Sequence, residues 1–394
     1  MKISIQPRLL LLASIILAGL TACTPKNDET FTKFYKLIEQ KDYFSAKDLV
    51  KYNKRQFTFF QMDFADAVLF NAFNQVEISE MVVDRLLEKE NAIPDSLAIK
   101  LYELKEDNSL KMYDYVEAKN AVTILLNEYG DKISENLYEE CENDLKIYTA
   151  LEHTRPQRVV IRGNSAIPLM KDMAGLKNLK VSIGSDTSMF IFDTGANLSV
   201  ISDSMARYFN MQIIPSDIEV GTATSHKVIA NLAVCEKLGI GNIEVYNAVF
   251  LVMPDELLYF PEVDYRIYGI LGFPVMEALN EIQITKDGWF IVPKEESQRP
   301  DGPNFALNGL TPMIRINGMH FRFDTGADST VLYHPYFIRY QQEIEENYTT
   351  EKFSFAGAGG SQEFEGYSIE MTFNLPEKNV ILPNIKVVTD TINK

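Results

Sequence analysis

The spacing of apolar residues changes its period once along the chain, near Pro156. From Phe31 to Ala150 apolar residues recur every three or four positions, as in Phe60 and Phe64, which is the period of a helix with one buried face. Polar and proline-containing breaks divide this stretch into about six or seven helices of about 10–20 residues. We therefore predict a helical, solenoid-like domain of paired antiparallel helices over residues 31–155.

Beyond Pro156 the chain alternates short runs of β-branched and aromatic residues with turn residues. Runs such as Leu179–Ile183 and Met189–Phe192 are typical of strands, and the pattern continues to the end of the sequence. The predicted fold class is therefore α + β in separate domains, with an all-α domain first and an all-β domain second.

The β region repeats the tetrapeptide Asp-Thr-Gly-Ala, each time after an apolar, strand-like run. A given tetrapeptide arises by chance in roughly one chain of this length in several hundred, so two copies in matched contexts indicate a duplication. The copies, with the runs that surround them, are Phe190–Ile201 and Phe321–Leu332.

The duplication predicts two lobes, over residues 156–293 and 305–394, joined by a polar linker over residues 294–304. In the first lobe an apolar-apolar-glycine segment, Ile270-Leu271-Gly272, follows the repeat, and a short helix and a hairpin come after it. The second lobe has no such segment before Lys394. The second Asp-Thr-Gly loop would therefore lack the support that this segment gives the first. Three explanations stay open: the first lobe supplies a substitute, the second lobe is degraded, or the sequence ends early.

The repeated aspartates, Asp193 and Asp324, carry the candidate chemistry. Two carboxyl groups about 3 Å apart cannot both ionise, so they share one proton and titrate as a unit. Such a pair activates a water, because the ionised group accepts its proton while the protonated group polarises a carbonyl. We predict both as catalytic residues, with no cofactor. The 4 histidines are scattered without ligand spacing, so no metal site is expected.

Residues 157–394 resemble a bacterial aspartyl protease of the retropepsin-like group, with two Asp-Thr-Gly lobes in one chain. The resemblance rests on Phe323–Leu332, which is close to the retroviral pattern, and on Ile270-Leu271-Gly272, which matches the second signature of that fold. It implies a bilobal acid-protease fold and hydrolysis of a polypeptide substrate. It also implies that threonines bond across the loops, that glycines leave room for the carboxylates, and that the apolar segment supports the first loop. The residues in these roles are Thr194, Gly195, Thr325, Gly326, Ile270, Leu271 and Gly272.

Candidate substrate-binding residues lie beside the repeats and in two hairpins. Asn197 and Asp328 directly follow the Asp-Thr-Gly-Ala copies. Asp328 resembles a family position that holds the substrate main chain, with local turn capping as the alternative. Thr222 and Ala223 in the first lobe and Gly359 in the second belong to candidate flaps that close over substrate. Plain hairpin turns are the alternative for both segments.

The first residues have the pattern of a lipoprotein signal peptide over residues 1–22, followed by a polar tether over residues 23–30. A basic start and a short apolar stretch lead into Leu20-Thr21-Ala22-Cys23, which resembles the bacterial lipobox. That resemblance implies that Cys23 is lipidated and anchors the protein to a membrane, with an ordinary secretory peptide as the alternative. Because Thr24 is not an aspartate, we expect an outer-membrane lipoprotein that faces the periplasm or the cell surface. The lipobox, the helical region and the protease-like region together resemble a Bacteroidota lipoprotein that carries an aspartyl protease domain.

The formal net charge of −17 argues against a nucleic-acid partner, which would need a basic surface. The sequence thus predicts an aspartic endopeptidase anchored to the cell envelope. Two alternatives stay open: a catalytically inactive, peptide-binding lipoprotein that keeps the acid-protease fold, and a helical-repeat scaffold. We expect a monomer with the lobes paired within one chain, because the linker is short and the duplication already supplies both halves.

Overall fold

The computed structural model describes residues 28–88, 93–221, 227–298, 304–357, 360–375 and 378–390. A helical N-terminal region is followed by a largely β region, as the sequence predicts. The predicted signal peptide and the lipidation residue Cys23 lie outside the described residues. No helix among the described residues combines the length and the apolar character that a membrane span requires.

The helical region contains seven α-helices within the described residues, and each packs against the next along the chain. They are α1 (Asp28–Glu39), α2 (Tyr43–Asn53), α3 (Phe59–Ala72), α4 (Val76–Leu87), α5 (Asp95–Lys111), α6 (Tyr115–Tyr129) and α7 (Glu135–Leu151). Helix α1 begins within the predicted tether, so that prediction is wrong for its last residues. The acidic Glu29 in its first turn favours this start, because negative charge is stabilised at a helix N-terminus.

The first half of the β region, residues 158–292, is named the first β half. Its strands are β1 (Arg158–Ile161), β2 (Ser165–Pro168), β3 (Met170–Lys171), β4 (Lys177–Ile183), β5 (Asp186–Phe192), β6 (Ser199–Ser202), β7 (Gln212–Gly221), β8 (Lys227–Ile240), β9 (Ile243–Met253), β10 (Tyr259–Phe260), β11 (Tyr265–Arg266), β12 (Gly269–Leu271), β13 (Gln283–Ile284) and β14 (Trp289–Val292). Two short helices, α8 (Asp203–Tyr208) and α9 (Phe273–Glu277), interrupt them. In the main sheet, β12 lies between β5 and β6, parallel to the first and antiparallel to the second.

The second β half, residues 305–388, is smaller. Its elements are β15 (Phe305–Asn308), β16 (Thr311–Ile316), β17 (Met319–Arg322), β18 (Val331–Leu332), α10 (His334–Asn347), β19 (Thr350–Gly357), β20 (Gly360–Asn374) and β21 (Asn379–Val388). Strand β17 is the edge of a three-stranded sheet, and β18 pairs in parallel with β21 as β6 does with β9. Within the described residues this half has no counterpart of β12, α9 or β14.

The helical region packs against both β halves. Tyr43 donates its hydroxyl to Asn308 Oδ1 at 2.9 Å in the second half, and Tyr113 donates to the Pro274 carbonyl at 3.0 Å in the first. Apolar clusters also cross both boundaries. One cluster joins Phe64 and Leu101 of the helical region to Ala306 and Met313 of the second β half. Another joins Tyr115 and Leu125 of the helical region to Val200 and Val249 of the first β half.

Candidate active site

The first Asp-Thr-Gly loop follows β5 and rests on β12. Asp193 donates its N–H to the Leu271 carbonyl at 3.1 Å, and Ile270 pairs with Ile191 in the parallel ladder. Gly272 lets the backbones approach closely, since a Cβ there would lie 2.6 Å from a main-chain carbon of the loop. The structure therefore places the segment Ile270-Leu271-Gly272 directly under this loop.

The second Asp-Thr-Gly loop follows β17 and is held differently. Phe323 donates its N–H to the Pro312 carbonyl at 2.8 Å, but no strand lies under the loop within the described residues. The Phe323 side chain is 39% exposed, whereas its counterpart Phe192 is 1% exposed. Phe192 packs edge-on against Phe290 of β14, with ring centroids 5.1 Å apart. The exposure of Phe323 follows from the absence of such a partner strand.

Two threonines lock the loops together by reciprocal hydrogen bonds. Thr194 N–H donates to Thr325 Oγ1 and Thr325 N–H donates to Thr194 Oγ1, both at 3.0 Å. The Thr194 hydroxyl donates to the Phe323 carbonyl at 2.7 Å, and the Thr325 hydroxyl donates to the Phe192 carbonyl at 2.8 Å. Both side chains are buried, so these four bonds are shielded from water and fix the register of one loop against the other.

The two carboxyl groups meet above the glycines. Gly195 donates its N–H to Asp193 Oδ1 at 2.7 Å, and Gly326 donates to Asp324 Oδ1 at 2.9 Å. A Cβ added to Gly195 would lie 2.5 Å from the Asp324 carboxyl group, and one added to Gly326 would lie 2.3 Å from that of Asp193. Each acid therefore lies over the glycine of the opposite loop. Within the described ranges no group of three acidic, histidine or cysteine side chains forms a metal site.

The surroundings of Asp193 and Asp324 favour a form in which the two carboxyl groups share one proton. Burial, and after it the neighbouring Asp324 carboxylate, raises the pKa of Asp193 to about 6. The Gly195 N–H and the Arg322 guanidinium act in the opposite direction on this pKa, because both stabilise the ionised form. Below about pH 6 the arrangement therefore holds a proton on one of two adjacent carboxyl groups.

One residue of the site, Arg322, was not predicted from the sequence. Its Nε lies 4.0 Å from Asp324 Oδ2, and its NH2 group donates to the Gly195 carbonyl of the opposite loop. The signal in the sequence is a charged residue where the first repeat has the apolar Ile191.

Of the predicted substrate-binding residues, Asn197 and Asp328 lie within the described ranges. Asn197 is exposed and accepts a bond from the Thr311 hydroxyl at 3.2 Å, so it contacts the second β half. Asp328 is exposed and accepts a bond from the Ser329 hydroxyl at 2.9 Å, within its own loop. The arms of both candidate flaps are antiparallel hairpins, β7–β8 and β19–β20. The tip residues Thr222, Ala223 and Gly359 lie outside the described residues.

A family model matches part of the first β half. Residues 179–275 match the model described as Aspartyl protease. The match covers about a quarter of the chain; it includes Asp193 and Gly272 and ends before Asp324. An aspartyl protease domain is therefore assigned to this segment.

Among solved structures, the chain is similar to the crystal structure of a retropepsin-like aspartic protease from Rickettsia conorii. The two share 18% sequence identity with a TM-score of 0.23, and the match covers 34% of this chain and 91% of that chain. No curated protein matches the chain.

Proposed function

We propose that the protein is an aspartic endopeptidase that hydrolyses peptide bonds with a water held between Asp193 and Asp324. The observation that carries the proposal is the meeting of the two carboxyl groups, each over the glycine of the opposite loop. The aspartyl protease match over residues 179–275 supports it independently.

The pair supplies both parts of acid–base catalysis. The ionised carboxylate accepts a proton from the water as the water oxygen bonds to the carbonyl carbon, and the protonated carboxyl donates to the carbonyl oxygen. Proton transfer to the amide nitrogen then lets the carbon–nitrogen bond break, which releases an acid and an amine. The raised pKa of Asp193, about 6, supports this assignment because it keeps a single proton on the pair in mildly acidic solution.

We further propose that the two β halves act as the two lobes of one catalytic unit, paired within one chain in a monomer. The reciprocal threonine bonds support this pairing, as does the bond from Thr311 to Asn197 between the halves. The hairpins β7–β8 and β19–β20 are proposed as covers over a bound polypeptide, since hairpin arms of this kind gate other sites.

The membrane anchor is proposed from the sequence alone. The lipobox-like Leu20-Thr21-Ala22-Cys23 supports lipidation at Cys23 and a place in the outer membrane of the cell envelope. Mass spectrometry of the detergent-extracted protein should find an acylated N-terminal cysteine, and Cys23→Ser should move the protein to the soluble fraction. A wild-type protein with an unmodified, uncleaved N-terminus would contradict the anchor.

One observation favours the alternative of a peptide-binding protein without catalysis. The second loop has no strand beneath it within the described residues, and Phe323 is correspondingly exposed. If this loop shifted by about 1 Å, the rate of peptide cleavage would fall strongly, because proton transfer requires the groups to lie within hydrogen-bond distance. Catalysis and binding therefore have to be measured in the same sample.

Incubation with a mixed peptide library tests the function. The wild type and Asp287→Asn, an equivalent change in an exposed turn, should cut the library and be blocked by a statine-type compound. Asp193→Asn should lose at least about 1,000-fold in rate while still binding peptides. Binding by all three proteins with cleavage by none would overturn the peptidase proposal in favour of the peptide-binding alternative.

A further inference from the structure

Arg322 takes the place that Ile191 has in the first loop, two residues before the aspartate. Ile191 is 3% exposed and pairs with Ile270 of β12, so the first loop is held by a strand. The Arg322 side chain is 46% exposed and lies at the end of the edge strand β17. The two copies of the motif therefore differ at the position that supports each loop.

The Arg322 guanidinium contacts both loops at once. Its NH2 group donates to the Gly195 carbonyl of the first loop, while its Nε lies 4.0 Å from Asp324 Oδ2 of the second. Gly195 in turn donates its N–H to Asp193 Oδ1 at 2.7 Å. One planar side chain thus links the backbone that holds one acid to the carboxyl group of the other, a geometry that suits arginine better than lysine.

Three titratable groups in the described part of the chain are seen to interact with the guanidinium or with the pair. They are Asp324 on the same loop, Asp193 on the opposite loop, and the Tyr333 hydroxyl just after β18. Arg322 lowers the pKa of Asp193 against the stronger effects of burial and of Asp324. Its charge therefore favours ionisation of the pair, while burial opposes it.

Resting on the proposed function, we propose that Arg322 is a positioning residue of the active site. It replaces strand support with a cation that bridges the two loops and biases the carboxyl pair toward its singly ionised form. A half-exposed ion pair at this distance contributes little to folding. The bridge should therefore affect the titration and turnover of the pair more than the stability of the protein.

Direct titration tests the bridge without relying on catalysis. The carboxyl carbon resonances of Asp193 and Asp324 can be followed against pH by ¹³C NMR, with assignment from the Asp→Asn variants. Arg322→Gln should raise the apparent pKa values of the pair by about half a pH unit, the size expected of a partly screened ion pair. The matched control Arg339→Gln, an exposed arginine of the same β half, should leave them within about 0.2 unit.

Measurement of kcat distinguishes a positioning role of Arg322 from an effect of its charge alone. Arg322→Lys should keep the titration within about 0.2 unit of wild type, yet lower kcat by about 3- to 10-fold with little change in KM, because lysine has no planar fork to reach both loops. Equal titration curves for Arg322→Gln and Arg339→Gln would overturn the proposal, as would full kcat in Arg322→Lys. A loss confined to the melting temperature would overturn it too. A wild type that cuts nothing would refute the peptidase function alone, and the NMR titration would still decide the role of Arg322.

Discussion

The two Asp-Thr-Gly loops share the same motif residues, but different structural elements pack against them. Their threonines make matched bonds, with both N–H to Oγ1 distances at 3.0 Å. Below them, Phe192 is buried against Phe290 while Phe323 is 39% exposed, and a strand supports only the first loop within the described residues. Matched threonine bonds on unequal supports indicate that the loops position each other.

Each threonine hydroxyl holds the opposite loop. The Thr194 hydroxyl donates to the Phe323 carbonyl and accepts from Thr325 N–H, so it holds the second loop. The Thr325 hydroxyl makes the corresponding bonds to Phe192 and Thr194 of the first loop. Because the first loop also rests on β12, it should tolerate the loss of its bonds better than the second loop does.

We expect the largest effect from the loss of either aspartate, which tests whether both loops are required for catalysis. Asp324→Asn should lower kcat/KM by at least about 1,000-fold, as Asp193→Asn does, because one proton-sharing pair needs both carboxyl groups. Steady-state cleavage of a single library-derived peptide measures both variants. An Asp324→Asn protein that keeps a tenth of the wild-type rate would show that the second loop is not part of the catalytic unit.

The threonines should respond unequally. Thr194→Val removes two hydrogen bonds that hold the less supported loop, and we expect a loss of about 100-fold in kcat. Thr325→Val removes the two bonds to the better supported loop and should lose about 10-fold. Equal losses, or a larger loss for Thr325→Val, would contradict the asymmetry of support.

The strand beneath the first loop gives a smaller effect, on stability. Ser199 Oγ accepts the buried Gly272 N–H at 3.0 Å, so Ser199→Ala leaves that donor unpaired and should cost about 1–3 kcal/mol in the free energy of unfolding. Thr330 occupies the equivalent place in the second repeat, where the described residues contain no such strand, and Thr330→Ala should cost less than about 0.5 kcal/mol. Urea titrations of both variants measure the difference. Similar costs would mean that the undersides of the loops are alike.

The pH dependence of kcat/KM tests whether the two carboxyl groups share a proton, and we expect a gradual change. The pKa of Asp193 is raised to about 6, so the pair keeps its proton below that pH and loses it as the pH rises further. kcat/KM should therefore fall above about pH 6, by about tenfold for each further unit. A profile that stays flat to pH 8 would show that no protonated carboxyl is needed.

The candidate catalytic pair and the strand under the first loop could be predicted from sequence motifs. Asp193 and Asp324 were assigned from identical tetrapeptides, and the strand under the first loop from an apolar-apolar-glycine segment at 270–272. The role of Arg322 could not be predicted, because Gly195 and Asp324, which it contacts, lie far apart along the chain. A comparison of the repeats shows only that a charged residue replaces Ile191. Helix α1 begins earlier than the polar composition predicts, because acidic residues in the first turn favour a helix N-terminus.

The packing of the helical region on both β halves could not be predicted either. Apolar residues such as Leu101 and Tyr115 fit a helix-only core equally well by spacing. In the structure they share clusters with Met313 of the second half and Val249 of the first. A hydrophobic pattern shows which face is buried, but it does not identify the partner that covers it.

A mixing experiment tests most directly whether the two loops form one site within one chain. Asp193→Asn and Asp324→Asn are purified separately, combined in equal amounts at several concentrations, and assayed for peptide cleavage beside the wild type. We expect the wild type to cut, and both variants and every mixture of them to be inactive, since no variant chain contains an intact pair. Activity that returns in the mixture and rises with concentration would contradict this expectation, because the carboxyl groups would then be pairing between chains.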